Sequence, residues 1–233
     1  MSRFTLICSL VFGLSSSSLI STADAGFAKP PPAAAAASSN VVNTDAVTMP
    51  QRWLDRDAVR SALVKARATN LAAFRAYQAK GVFPSNTFKD GKLNVWLDRD
   101  GNFCAAATII QMSGQYDLVN KVAEDNNFIR LAEVKQGPLM DWILTSGFTQ
   151  DEIAAIQEPF MDVDYDEPRA RRVPTLAKVD PKKRKVEDAR LRAKYTAVDK
   201  MIVKNANKSL DKAVDRLMRN PDLAFQLIES QSS

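Results

Sequence analysis

The sequence predicts a mainly α protein: a small helical body containing one β-hairpin, followed by a basic C-terminal helical hairpin. Three observations carry that reading. Apolar residues recur at helical spacing through most of the chain, helix start and stop signals are frequent, and strict apolar alternation is confined to Leu93-Asn94-Val95-Trp96-Leu97. With 45% apolar and 25% charged residues among 233, the chain has the composition of an ordinary globular protein.

Residues 1–25 read as a cleavable signal peptide. Arg3 precedes an apolar stretch from Phe4 to about Ile20, and Ala23-Asp24-Ala25 ahead of Gly26 predicts a cut after Ala25. Ser15 to Ser18 dilute the stretch, which falls short of the roughly 20 apolar residues of a comfortable membrane span. Cys8 lacks the small preceding residue that lipidation would need. Residues 26–50, rich in Ala, Pro and Ser with almost no charge, read as a flexible linker. The expected location is therefore exported, periplasmic or secreted.

The body is expected over 51–160. A long amphipathic helix from Trp53 to about Lys80 puts Val59, Leu63, Phe74 and Tyr77 on one stripe, with Asp55 or Asp57 to cap it and Gly81 and Pro84 to stop it. Asn70 lies near that stripe, where a buried amide must find partners. The alternating stretch then turns at Asp100-Gly101. A two-residue turn there predicts a hairpin over about 92–105 with Leu97 opposite Cys104. Helical patterning resumes from Ala105 to Met112, and three short helices follow. The first ends at Asn126-Asn127, the second opens at Gly137-Pro138, and the third starts at Thr149. Thr149 with Glu152 forms a capping box, and Phe148 with Ile153 occupies the positions of a hydrophobic staple.

Residues 161–179 read as a charged linker, where the acids Asp162, Asp164, Asp166 and Glu167 meet Arg169, Arg171 and Arg172. The region 180–233 is expected to be helical and basic. Asp180-Pro181 opens a long helix to about Asn205, Ser209 serves as N-cap of a second, and Asn220-Pro221 starts a third. Charge divides sharply: residues 51–168 carry 13 basic and 17 acidic side chains, whereas 169–233 carry 17 and 8.

The chain contains no histidine, which excludes Ser-His-Asp and Cys-His catalysis, H-E-x-x-H zinc sites and His-ligated haem or copper. Cys104 is the one thiol of the expected mature chain, so it has no disulfide partner within that chain. Its place between strand and helix makes it a candidate reactive thiol, although no histidine base or resolving cysteine accompanies it. Asp98 to Asn102 resembles a calcium loop only briefly, because Phe103 and Ile109 stand where an EF-hand needs glycine and glutamate. Ser209-Leu210-Asp211-Lys212 matches S-x-x-K without the companion motifs of penicillin-recognising enzymes. Trp96 and Trp142 have spacings that suit a core better than a sugar or peptide groove. No catalytic residue, metal ligand or cofactor is assigned.

The basic region supplies the candidate site. Lys182, Lys183, Arg184, Lys185, Arg190, Arg192 and Lys194 form a polyanion-binding set, with Lys200 and Lys204 further along the same helix. Outside the cytoplasm the matching partners are an acidic envelope polymer, an anionic lipid or an acidic protein surface; nucleic acid fits an exported chain poorly. The leading expectation is an exported, non-enzymatic binding or envelope-associated protein. The alternative is a small exported enzyme that uses carboxylates or Cys104 without histidine.

Overall fold

A computed structural model describes residues 53–165 and 178–231. The expected signal peptide, the linker at 26–50 and residues 166–177 of the charged linker lie outside the described residues. The described residues hold eight α-helices in chain order: α1 (Arg56–Lys80), α2 (Ala105–Met112), α3 (Tyr116–Asn126), α4 (Pro138–Thr145), α5 (Gln150–Ile156), α6 (Pro181–Lys204), α7 (Ala206–Leu217) and α8 (Pro221–Ser230). None is long and apolar enough to cross a membrane.

The long α1 is the spine. The Asp55 carboxylate accepts the Asp57 amide at its start, and Gly81 ends it at φ 65°, its N–H donating to the Tyr77 carbonyl. The first half of α1 buries Val59, Ala62 and Leu63 against Leu210, Val214 and Leu217 of α7 and Leu227 of α8. Its second half buries Phe74 and Tyr77 in a larger core with Ile109 and Ile110 of α2, Ile153 of α5, and Leu191, Tyr195 and Ile202 of α6. The α6, α7 and α8 helices therefore pack chiefly on α1, α4 and α5. The helix expected to start at Ser209 begins instead at Ala206. Ser209 is buried within α7, not capping it.

No sheet forms among the described residues, and the hairpin expected near 92–105 reduces to one antiparallel bridge, Leu97 with Phe103. The register differs by one residue from the Leu97–Cys104 pairing because the turn contains three residues, not two. The Gly101 amide donates to the Asp98 carbonyl at 3.3 Å, Gly101 sits at φ 83°, and the Asp98 amide donates to the Asn102 carbonyl. The Asp98 carboxylate fixes this geometry by accepting the amides of Ser85, Asp100 and Asn102 at 2.8–3.0 Å.

Side-chain amides do what strand ladders do elsewhere. Asn127 mimics a neighbouring strand, its Oδ1 accepting the Leu97 amide and its Nδ2 donating to the Leu97 carbonyl, both at 2.9 Å. Gln157 grips residues 129–131 in the same manner. The wholly buried Asn86 donates to the carbonyls of Lys89, Gly91 and Phe160 and accepts the amides of Phe88 and Lys89. Buried loops thereby keep their backbone groups paired without extended strands.

Candidate polyanion interface

The candidate residues lie on the first turns of α6. Asp180 caps the helix by accepting the amides of Lys182 and Lys183, and Pro181 supplies the fixed φ of the first helical position. Leu191, Tyr195, Val198 and Ile202 seat one face in the core. That anchoring determines which of the cations around the helix turn inward.

Five of the seven expected polyanion-binding residues engage the protein itself. Lys183 donates to the Asp164 carbonyl at 2.8 Å and lies 4.0 Å from the Asp162 carboxylate. Arg184 donates to the Pro84 carbonyl and Ser85 Oγ and pairs with Asp188. Arg190 clamps Glu187 and Glu158 at 2.6–2.8 Å and donates to the Pro159 carbonyl. Hydrogen bonds donated to Glu187, opposed in part by burial, push the Arg190 pKa up, so its charge is fixed. Arg192 donates to the Gly81 carbonyl at 3.1 Å and lies over the Phe83 ring, while Lys194 approaches Glu158 at 3.4 Å. Lys182 and Lys185 are exposed, as are Lys200 and Lys204 toward the other end of the helix.

The acids that capture this set are Glu158 and Asp162, which precede α6, and Glu187 and Asp188 of α6 itself, while Asp164 contributes its backbone carbonyl. The Arg184–Asp188 and Glu187–Arg190 pairs were visible as i,i+4 and i,i+3 spacings on a helix. The long-range partners carried no local signal. The first turn of α6 contains no acidic residue, so its cations sit at the positive end of the helix dipole, a placement that costs rather than contributes stability.

Cys104 is buried at 1% exposure and caps α2, its Sγ accepting the Ala107 amide at 3.4 Å. Burial pushes the thiol up to about 12, which keeps it protonated at neutral pH and enclosed by the core. The body's most buried carboxylate, Glu152, is committed to Arg67, which forks onto it at 2.7 and 2.9 Å and also donates to the carbonyls of Gly147 and Ile202. Trp96 and Trp142 are core residues whose indole N–H groups donate to the Val119 carbonyl and Ser113 Oγ. Asn70 donates to the Ser146 carbonyl.

A surface groove of about 430 Å³ runs between the end of α1, the turn at Gly101–Phe103 and α2. Its described lining carries Lys80 as a cation and no carboxylate. No cluster of three or more metal-ligating side chains exists among the described residues. No protein family, no curated protein and no solved structure matches the chain, so the functional reading rests on this geometry.

Proposed function

We propose that this chain is an exported, non-enzymatic binding protein that contacts an anionic surface through the exposed lysines of α6. The supporting observation is the contrast within one helix turn. Lys183 and Arg184 are drawn onto protein acceptors, whereas Lys182 and Lys185 stay exposed at the helix end where a cation is least favoured. Local rules broken at a cost, with no partner among the described residues to offset it, are characteristic of functional positions. The folded body holds this turn at a fixed place, and the Ala/Pro/Ser linker acts as a spacer after removal of the leader.

The test is retention of the mature protein on cell-envelope material across a salt series, comparing the parent with a Lys182→Gln, Lys185→Gln variant. At about 1 kcal/mol per lysine near an anionic surface, losing both weakens retention roughly 30-fold at low salt. Equal retention of parent and variant removes the proposal. Terminal sequencing of the exported protein checks the address, with Gly26 expected as the first residue.

A further inference from the structure

We infer that the surface groove at the end of α1 binds the C-terminal segment of an extended apolar peptide, pairing its backbone with Phe103 and its terminal carboxylate with Lys80. None of the α6 lysines takes part. The Asp98 amide donates to the Asn102 carbonyl at 3.0 Å and the Cys104 amide to the Trp96 carbonyl at 2.9 Å, so Leu97 and Phe103 face one another as a non-hydrogen-bonded antiparallel pair. In such a pair the N–H and C=O of both residues point outward, to opposite edges. The chain closes one edge itself: the side-chain amide of Asn127 takes both outward groups of Leu97 at 2.9 Å. The other edge has no counterpart, because neither the N–H nor the C=O of Phe103 has a hydrogen-bond partner among the described residues. The groove of about 430 Å³ runs along that edge, lined in succession by Gly101, Asn102 and Phe103.

The unpaired edge selects the occupant. An N–H and a C=O on one residue are half of a hydrogen-bonded antiparallel pair, which one residue of an incoming strand completes. A helix has its backbone groups bonded internally and an acyl chain has none, so neither offers that pair. The walls suit apolar side chains: Val82 and Met112 line the groove with Phe103 and are 44% and 54% exposed. Charge sets the end of the peptide. Lys80 is the one charged residue of the described lining and makes no ion pair among the described residues. The Asp98 carboxylate is taken up by the amides of Ser85, Asp100 and Asn102, and the exposed Asp100 lies outside the lining. A single cation with no row of others matches one terminal carboxylate and not a polyanion. Thr108 and Gln111 add side-chain hydrogen-bonding groups that engage no other described residue.

The experiment titrates the isotope-labelled mature protein with N-acetyl-Val-Val-Leu at millimolar concentration and follows amide shifts and hydrogen exchange by nuclear magnetic resonance. The expected result is a shift and slowed exchange of the Phe103 amide, with smaller shifts at Val82 and Met112. Replacing the carboxylate of the probe with an amide, or Lys80 with Gln, should weaken binding at least about tenfold while the thermal unfolding midpoint stays unchanged. Methylating the backbone nitrogens of the probe should weaken it comparably, because the incoming strand then has no donor. Lys65→Gln, on α1 but outside the groove lining, should leave binding as it is. Lys182→Gln with Lys185→Gln should do the same, so this site and the α6 contact fail or stand separately. No response at Phe103 overturns the inference, as does equal binding of the acid and amide probes. Octanoate binding as tightly as the peptide also overturns it, since the occupant is then an amphipathic acid that needs no backbone pairing.

Discussion

At the scale of single residues, the strongest constraint is the Arg67–Glu152 pair. Burial alone raises the Glu152 pKa, but the Arg67 guanidinium and the Thr149 amide outweigh it and hold the carboxyl below its ordinary value. The same carboxylate closes the capping box of α5, so one acid ties α1, α5 and the α6 carbonyl at Ile202 together through its arginine. Arg67→Met leaves a buried charge unpaired and should cost about 3–5 kcal/mol in chemical denaturation, whereas Arg67→Met with Glu152→Leu should cost much less, because no charge is then stranded. The pH dependence has a definite sign. A depressed folded-state pKa contributes stability that is present above the unfolded carboxylate pKa and is lost as pH falls through the folded value. In Arg67→Met the carboxyl has no cation, acid protonates it, and the gap between variant and parent should narrow on acidification. A gap that widens as pH falls would remove this account of the pair. By contrast, the buried hydroxyls of Tyr77 and Tyr195 have no hydrogen-bond partner among the described residues, so the aromatic cluster they share with Phe74 and Phe83 is held by ring packing.

At the scale of elements, what was legible in the sequence was local chemistry, and what escaped was pairing across distance. Asp55, Gly81, the Thr149–Glu152 box and Asp180-Pro181 each mark the helix end their residue types imply, because capping is settled within one turn. The turn at Asp98–Asn102 escaped because its length depends on one carboxylate collecting three amides, including that of Ser85 thirteen residues away. Ser209 escaped because α7 starts a turn early, after Asn205, and puts the serine inside the packed face. For the candidate site, the cationic character of α6 was legible and its division into engaged and exposed cations was not. Glu158, Asp162 and Asp164 reach Lys183, Arg190 and Lys194 only once the chain is folded. That division predicts how the element tolerates neutralisation. Lys182→Gln with Lys185→Gln removes exposed charge from the positive end of the dipole and should leave thermal stability unchanged or slightly raised, by about 0.3–1 kcal/mol per site at low ionic strength. Arg190→Gln strands Glu187 and Glu158 and should lower it clearly. If both variants lose the same stability, the lysines have structural partners and the division fails.

At the scale of the whole molecule, α1 joins two clusters that no neighbouring stretch of sequence supplies alone. Of the residues closing the larger cluster, Leu191, Tyr195, Val198 and Ile202 come from α6. The smaller cluster joins Val59 and Leu63 to Leu210, Val214 and Leu217 across about 150 positions of chain, with Arg56–Asp215 and Arg60–Asp211 ion pairs at its rim. At Gly147, φ 78°, the chain passes so close to α1 that a Cβ would fall 2.6 Å from the Arg67 amide and closer still to the Leu63 carbonyl, so the turn between α4 and α5 is fixed against the same spine. The acidic body and the basic region are thus charge compartments drawn on a shared core, and their opposite charges meet at Arg190 and Lys183. A chain ending at residue 165 should consequently fail to fold, because it would expose Phe74, Tyr77 and Leu63 where α6 and α7 now cover them. The measurement is chemical denaturation followed by far-ultraviolet dichroism and by the fluorescence of Trp96 and Trp142. The intact chain should give coincident transitions on both probes, and the shortened chain no cooperative transition on either. A shortened chain that unfolds cooperatively, with both tryptophans buried beforehand, would show that the helical body holds its core without α6 and that the charge boundary is also a folding boundary.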